Sequence, residues 1–182
     1  MPLSTLNAIS PVDGRYLRHT KPLAPLLSEW GLIRHRVEVE IRYFIELVEL
    51  PLQQLNDFPS DKKDSLAALY EGLTEENAYR IKEIESITNH DVKAVEYWIK
   101  EEMEKMGLGK WSEFVHFGLT SQDVNNTAIP LSIKRATEDV YLPILDEVIS
   151  TLKGFASDWK AVPMLARTHG QAASPVTLGK EI

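Results

Sequence analysis

The 182-residue chain has no cysteine. That absence excludes a disulfide scaffold, a thiol nucleophile and a cysteine-based zinc site, and it accords with a reducing compartment. No run approaches the ~18 consecutive apolar residues of a membrane span. The opening "MPLSTLNAISPVDGRY" has neither the basic n-region nor the apolar h-region of a secretory signal. Both absences point to a soluble, cytoplasmic protein with no membrane partner. Excess positive charge is missing too: 20 Lys and Arg stand against 27 Asp and Glu, for a net charge of −7. The basic residues are interspersed with acids, so no nucleic-acid partner is expected. There is no Walker A loop, no G-x-G-x-x-G and no G-x-S-x-G nucleophile elbow. Neither H-x-x-x-H nor H-E-x-x-H spacing occurs, so no metal site is expected. Strand-like alternation is also lacking.

What is present is helical periodicity. Ile33, Val37, Ile41, Phe44 and Val48 recur every three or four residues, one stripe of a long helix that Pro51 closes. Leu66, Leu69 and Tyr70 mark a short helix after Ser60. Thr74 is placed to cap the next, with Glu75 and Glu76 in the first turn, where the helix dipole favours anions, and Ala78, Ile81 and Ile84 on its apolar face. Val92, Val95, Ile99, Met103 and Met106 line a further helix ended by Gly107. After a joint at "GLGKW", Thr120 or Ser121 caps a long helical tract running to about Trp159. Pro130 inside that tract predicts a kink or a late start, and Pro143 marks a second start. "VPMLARTHGQAA" has little helical periodicity and reads as extended or irregular. Ser174 and Pro175 form an N-cap and N1 pair, which predicts a final helix running past Ile182 and hence a chain cut inside a longer one. The fold class expected is all-α.

Four polar clusters interrupt these helices: "SPVDGRY" (10–16), "TNHD" (88–91), "TSQD" (120–123) and "RTHGQ" (167–171). The last three fall at or beside predicted helix ends. A helix N-terminus carries unpaired N–H groups and partial positive charge, and so can hold carboxylates or phosphates. Ser, Thr and Asp are also the commonest caps, so capping alone (with Asp91 or Asn89 as cap in "TNHD") is the other reading of "TSQD" and "TNHD", and for each cluster taken singly the commoner one. "RTHGQ" is richer. An imidazole exchanges protons near neutral pH, Gly170 allows close backbone approach, and Arg167 can grip a carboxylate or phosphate in bidentate fashion. His116, between Phe114, Val115 and Phe117, reads as a hydrogen-bonded packing histidine.

Together, "SPVDGRY", "TNHDVKAVEY" (88–97), "EFVHFGLTSQDVNNTA" (113–128) and "RTHGQAASPVTLGKE" (167–181) resemble the adenylosuccinate lyase family of the fumarase/aspartase superfamily. "TSxD" and "THGQ" are shared across the superfamily; "SPVDGRY" and "NHDVKAVEY" are narrower. The resemblance implies an N-terminal helical domain over 1–111 and the beginning of a central long-helix bundle over 112–182. It implies elimination of fumarate from adenylosuccinate to give AMP, and from the succinyl-carboxamide ribotide (SAICAR) to give AICAR, in purine biosynthesis, without metal or organic cofactor.

Carried over residue by residue, the resemblance makes His169 the general acid. His90, flanked by Asn89 and Asp91, would bind and position substrate. Thr120 and Ser121 would hold a carboxylate of the succinyl portion, Arg15 and Tyr16 would contact the nucleotide, and Thr168 and Gln171 would support the site. Ala172 stands where many members have Pro. The family's Ser-containing signature loop, which carries the base, is not within the 182 residues. The chain is therefore expected to be inactive by itself and to work as part of a homotetramer when full-length. Val124, Leu131, Leu145, Val148 and Leu152 are expected to seek apolar partners. The alternatives are another lyase of the superfamily, acting for instance on argininosuccinate, or a non-catalytic helical interaction domain.

Overall fold

In the computed structural model, residues 10–182 are described; residues 1–9, which open the expected first domain, lie outside them. The chain forms two compact units, the first ending at Ala136 and the second spanning Thr137–Ile182. Residues 112–136, which the sequence groups with the second domain, belong to the first of these units.

The first unit is built around one helix. Two short helices, α1 (Leu17–Thr20) and α2 (Ala24–Leu27), lead to α3 (Glu29–Glu49). Ser28 caps α3 by accepting the Gly31 N–H at 3.1 Å, and α3 stops where Leu50 turns extended ahead of Pro51, as the residue before a proline prefers. Ile33, Val37, Ile41 and Phe44 are all at most 2% exposed, so the expected stripe is the core face. A single stripe does not exhaust α3, however: His35, Arg36, Glu38 and Glu40 are buried as well. The helix is enclosed because α2, α4 (Lys63–Glu71), α5 (Glu75–Thr88), α6 (Asp91–Lys105) and α7 (Ser121–Arg135) all pack on it. Trp98, Leu55, Leu66, Ile81 and Met103 complete the interior.

The helix ends follow the sequence closely. Thr74 and Asn77 form a capping box at α5, and Thr120 and Asp123 another at α7; each satisfies two otherwise unpaired N–H groups. Gly107 leaves α6 at φ 74°. Ser60 opens a 3-10 turn (Ser60–Lys62) and makes no side-chain cap. Pro130 lies inside α7, which runs through it. The irregularity comes later, as a π-helical turn at Ala136–Tyr141 running directly into α8 (Leu142–Asp158); Pro143 sits in the first turn of α8, where the helical tract continues from that turn and proline has no N–H to give to its carbonyls.

In the second unit, α8 buries none of its residues; Leu145, Val148, Leu152 and Phe155 are all 36–51% exposed. Val124, by contrast, is fully buried: it faces inward from α7 and is not part of any open face. Beyond α8 lies the only strand pair among the described residues, β1 (Pro163–Thr168) and β2 (Gln171–Thr177), antiparallel. The class is all-α apart from this hairpin. The hairpin corrects the expected helix start at Ser174-Pro175, because both residues lie in β2. Leu165 pairs with Pro175 and Arg167 with Ala172, so β2 carries one extra residue, a bulge, beside Pro175. Each strand of a two-stranded ribbon is an edge, and a proline without N–H is accommodated at an edge or a bulge. A short 3-10 turn, Leu178–Lys180, follows and folds back on the end of α8, the Gly179 N–H reaching the Trp159 carbonyl at 3.0 Å.

Candidate active site

Two of the polar clusters meet in the first unit. Asn89 ends α5 in the left-handed region, φ 51°, a conformation asparagine tolerates. That turn brings His90 to the N-cap of α6. The cap is His90 itself rather than Asn89 or Asp91: its Nδ1 accepts the Lys93 N–H at 3.2 Å. A neutral ring held in this way carries its proton on Nε2. Nε2 lies 3.3 Å from Ser121 Oγ, in the first turn of α7, and donates to it. The Ser121 O–H then keeps its own proton for an outside acceptor. The N-termini of two 15-residue helices thus meet at one locality, where their partial positive charges favour an anion.

Thr120 is committed locally. Its hydroxyl and its N–H both donate to Asp123 Oδ2, at 2.8 and 2.7 Å. These bonds, the N–H first and then the hydroxyl, hold the Asp123 carboxyl below its ordinary value. What α7 offers a ligand is therefore the Ser121 hydroxyl and the N–H groups of Ser121 and Gln122; the Asp123 and Val124 N–H groups are already taken by Thr120.

The clamp behind this pair is Arg36, a residue the motifs did not single out. It is 6% exposed. Its Nη2 donates to Asp91 Oδ2 at 2.5 Å and its Nε to Asn125 Oδ1 at 2.9 Å. One planar guanidinium on α3 thereby fixes the start of α6 to the second turn of α7. Partial burial acts to raise the Asp91 carboxyl, but the Val92 N–H and the Arg36 charge outweigh it and hold Asp91 below its ordinary value. The signal in the sequence was "RVEVE" (36–40): charges at alternate positions of a helix spread around its circumference, so on an enclosed helix some must face inward.

A second ion pair, built on the buried Glu38, fastens the other end of α7. Arg135 donates to both oxygens of Glu38, at 2.5 and 2.9 Å, and Arg42 approaches Glu38 at 2.9 Å. Burial acts to raise Glu38, but Arg135 and Arg42 hold it below the usual carboxylate value of 4.5. A depressed carboxyl stabilises the fold above its unfolded-state value, and that contribution is lost as pH falls through the folded-state value. Glu38→Gln is therefore expected to lower the stability of the first unit at pH 7 by about 2 kcal/mol, the scale of a hydrogen bond to a charged group, and to flatten the loss of stability below about pH 4.5. Urea unfolding at both ends of that range measures it, and equal slopes in the two proteins would contradict it.

The remaining site candidates are placed elsewhere. Arg15 and Tyr16 precede α1, the guanidinium 5.6 Å from the Tyr16 ring centre; neither is hydrogen-bonded to the His90–Ser121 pair. Thr168, His169, Gly170 and Gln171 form the tip of the hairpin in the second unit. Thr168 pairs with Gln171, and the two residues between them, His169 at φ 52° and Gly170 at φ 77°, are both left-handed, as a type I′ turn requires. Asn-Gly is the preferred filling for such a turn; here an exposed imidazole stands at its apex. Among the described residues no three or more His, Asp or Glu side chains come together as a metal site, and no helix is long and apolar enough to cross a membrane.

The sequence model of a family described as "Lyase" matches residues 14–182. The adenylosuccinate lyase of Dictyostelium discoideum is 51% identical over 187 residues, covering 99% of this chain and 40% of that protein. The adenylosuccinate lyase of Escherichia coli strain K12 is 44% identical over 184 residues, covering 100% and 40%. Among solved structures, fumarate lyase from Mesorhizobium sp. BNC1 matches with a TM-score of 0.66 at 23% identity, over 88% of this chain and 35% of that one. The 3-carboxy-cis,cis-muconate lactonizing enzyme from Pseudomonas putida matches at 0.60 and 20%, over 88% and 34%. These last two likenesses concern the fold. The chain belongs to the lyase family of the fumarase/aspartase superfamily. Its curated relatives bear the name adenylosuccinate lyase, and it spans about 40% of their length.

Proposed function

We propose that the full-length protein is an adenylosuccinate lyase, a carbon–nitrogen lyase that releases fumarate from adenylosuccinate to leave AMP and from SAICAR to leave AICAR. The observation that carries this reading is the 51% identity to an adenylosuccinate lyase across 99% of the chain. In the reaction a base takes the proton from the succinyl carbon next to a carboxylate. The electron pair forms the fumarate double bond as the C–N bond breaks, and the departing nitrogen takes a proton from a general acid.

His169 is the acid in this reading, presented at the hairpin apex with Thr168 and Gln171 beside it. The Ser121 hydroxyl and the Ser121 and Gln122 N–H groups in the first turn of α7 hold a succinyl carboxylate and stabilise the charge that develops on it; Thr120 shapes that turn through its box with Asp123. His90, set by Asn89 and Asp91, orients the substrate against Ser121. Arg15 and Tyr16 bind the nucleotide on its phosphate side. None of the residues named here serves as the base in this reading, no metal or organic cofactor takes part, and the 182 residues alone release no fumarate. In the cytoplasm the full-length protein assembles as a homotetramer in which the apolar face of α8 is covered.

The test is fumarate release by the full-length protein, with adenylosuccinate, SAICAR and argininosuccinate offered in parallel. Release from both purine substrates and none from argininosuccinate is expected. Release from argininosuccinate alone would move the protein to another branch of the superfamily. No release, together with failure to bind any of the three, would favour a helical interaction domain.

A further inference from the structure

Glu40 is the least explained charge in the molecule. It lies in the middle of α3, 0% exposed, and its Oε2 has no hydrogen-bond partner among the described residues. Burial pushes its carboxyl above the ordinary value, with the charge of Glu96 adding to the rise and His116 only partly offsetting it. Glu96 is itself occupied by Lys93 at 2.8 Å and Lys100 at 3.2 Å. A buried carboxyl without a full set of partners weakens a fold, so its presence calls for a return elsewhere.

What Glu40 holds is His116. Its Oε1 lies 2.5 Å from His116 Nδ1, hydrogen-bonded to it. His116 has φ 63°, a left-handed conformation that is uncommon for a residue with a Cβ and that a fixed side-chain partner helps to hold. Two residues on, Gly118 is also left-handed at φ 75°. A second tether from the same helix, one turn along, is the Tyr43 hydroxyl, which donates to the Phe117 carbonyl at 2.9 Å. The reversal these contacts impose ends at Thr120, the N-cap of α7. Neither tether touches His90 or Ser121, yet both hold the loop that leads directly into the start of α7.

We propose that Glu40 is a positioning residue: through His116 it holds the 115–119 loop in its left-handed path and so sets the place of Thr120 and Ser121 opposite His90. The loop tether stands on geometry alone, while its effect on substrate rests on the lyase reading above. The neutral amide of Gln fits the same space and can either accept a ring N–H or donate to a bare ring nitrogen, so Glu40→Gln should preserve the tether and Glu40→Ala should lose it.

Two readouts separate the two claims. Amide hydrogen exchange at residues 119–124 of the 182-residue chain is expected to quicken at least ~10-fold in Glu40→Ala, and to stay near wild type in Glu40→Gln. In the full-length protein, with adenylosuccinate as probe, Glu40→Ala is expected to raise KM ~10-fold with kcat within about threefold, and Glu40→Gln to restore both, as expected for lost binding rather than lost chemistry. Should Glu40→Ala fail to fold, Tyr43→Phe, which removes one hydrogen bond at a partly exposed site, is expected to move exchange and KM in the same direction by a few-fold. Wild-type exchange at 119–124 in a folded Glu40→Ala, or in Tyr43→Phe where the alanine variant does not fold, would overturn the proposal. So would a Gln variant as fast as the alanine one. Absence of fumarate release from the wild-type protein would sink the lyase reading and leave exchange to decide the tether.

Discussion

A His169→Asn variant of the full-length protein is expected to lose ~10²–10⁴-fold in kcat/KM for fumarate release, the usual contribution of a positioned general acid, while its hairpin stays intact. The choice of asparagine matters. His169 and Gly170 occupy the two left-handed positions of a tight turn, and Asn-Gly is the pair such a turn prefers. Alanine would add strain at φ 52° and confuse a fallen activity with a disturbed turn; asparagine removes the imidazole and keeps the backbone satisfied. Circular dichroism and thermal unfolding check the fold, and fumarate release checks the chemistry. Full activity in His169→Asn would strip His169 of the acid role. Activity lost together with the fold would show that the turn itself depends on the imidazole.

Arg36→Met carries the second large effect. Methionine fills much of the space of the arginine stem and removes the guanidinium, leaving Asp91 and Asn125 without their common partner. Breaking a fully buried pair costs roughly 3–5 kcal/mol. The Asp91 side chain is 43% exposed and can turn to water, so about 2 kcal/mol is expected in urea unfolding. Activity should suffer more than stability. His90 follows the start of α6, and a displacement of about 1 Å can cost ~100-fold in rate. Arg36→Lys is expected to recover part of the stability and little of the activity, because one ammonium cannot bridge two acceptors in the plane of a guanidinium fork. Stability and fumarate release both unchanged in Arg36→Met would mean that the starts of α6 and α7 are held by apolar packing alone.

The two residues behind these expectations differ in how they could be found. His169 was visible as a polar apex in "RTHGQ", yet the element around it was not. The Ser174-Pro175 pair has the local grammar of a helix start, and local grammar was outvoted: a two-residue left-handed turn sets the register of the strands on either side, and once Thr168 faces Gln171 the following residues are drawn into pairing. A proline that would have opened a helix sits instead beside a bulge. Arg36 and Glu40 were hidden for the opposite reason. An apolar stripe identifies one buried face of a helix, and charges off the stripe are assigned to water by default. α3 is covered on several sides, and nothing in its own sequence says which other helices will cover it.

The sequence by itself determined the periodicity of α3 to α6, the cap at Thr74, a cap for α7 at Thr120 or Ser121, the stop at Gly107 and the core face of α3, because these depend on interactions within three or four residues. Four short motifs were enough to point to the lyase family for the same reason: each is a local run of side chains. Only the tertiary structure decided that His90 faces Ser121, that Arg36 joins Asp91 to Asn125, and that Glu40 grips His116. Those contacts join residues 31 to 89 positions apart, and their existence depends on how whole helices pack, which no short window of sequence contains.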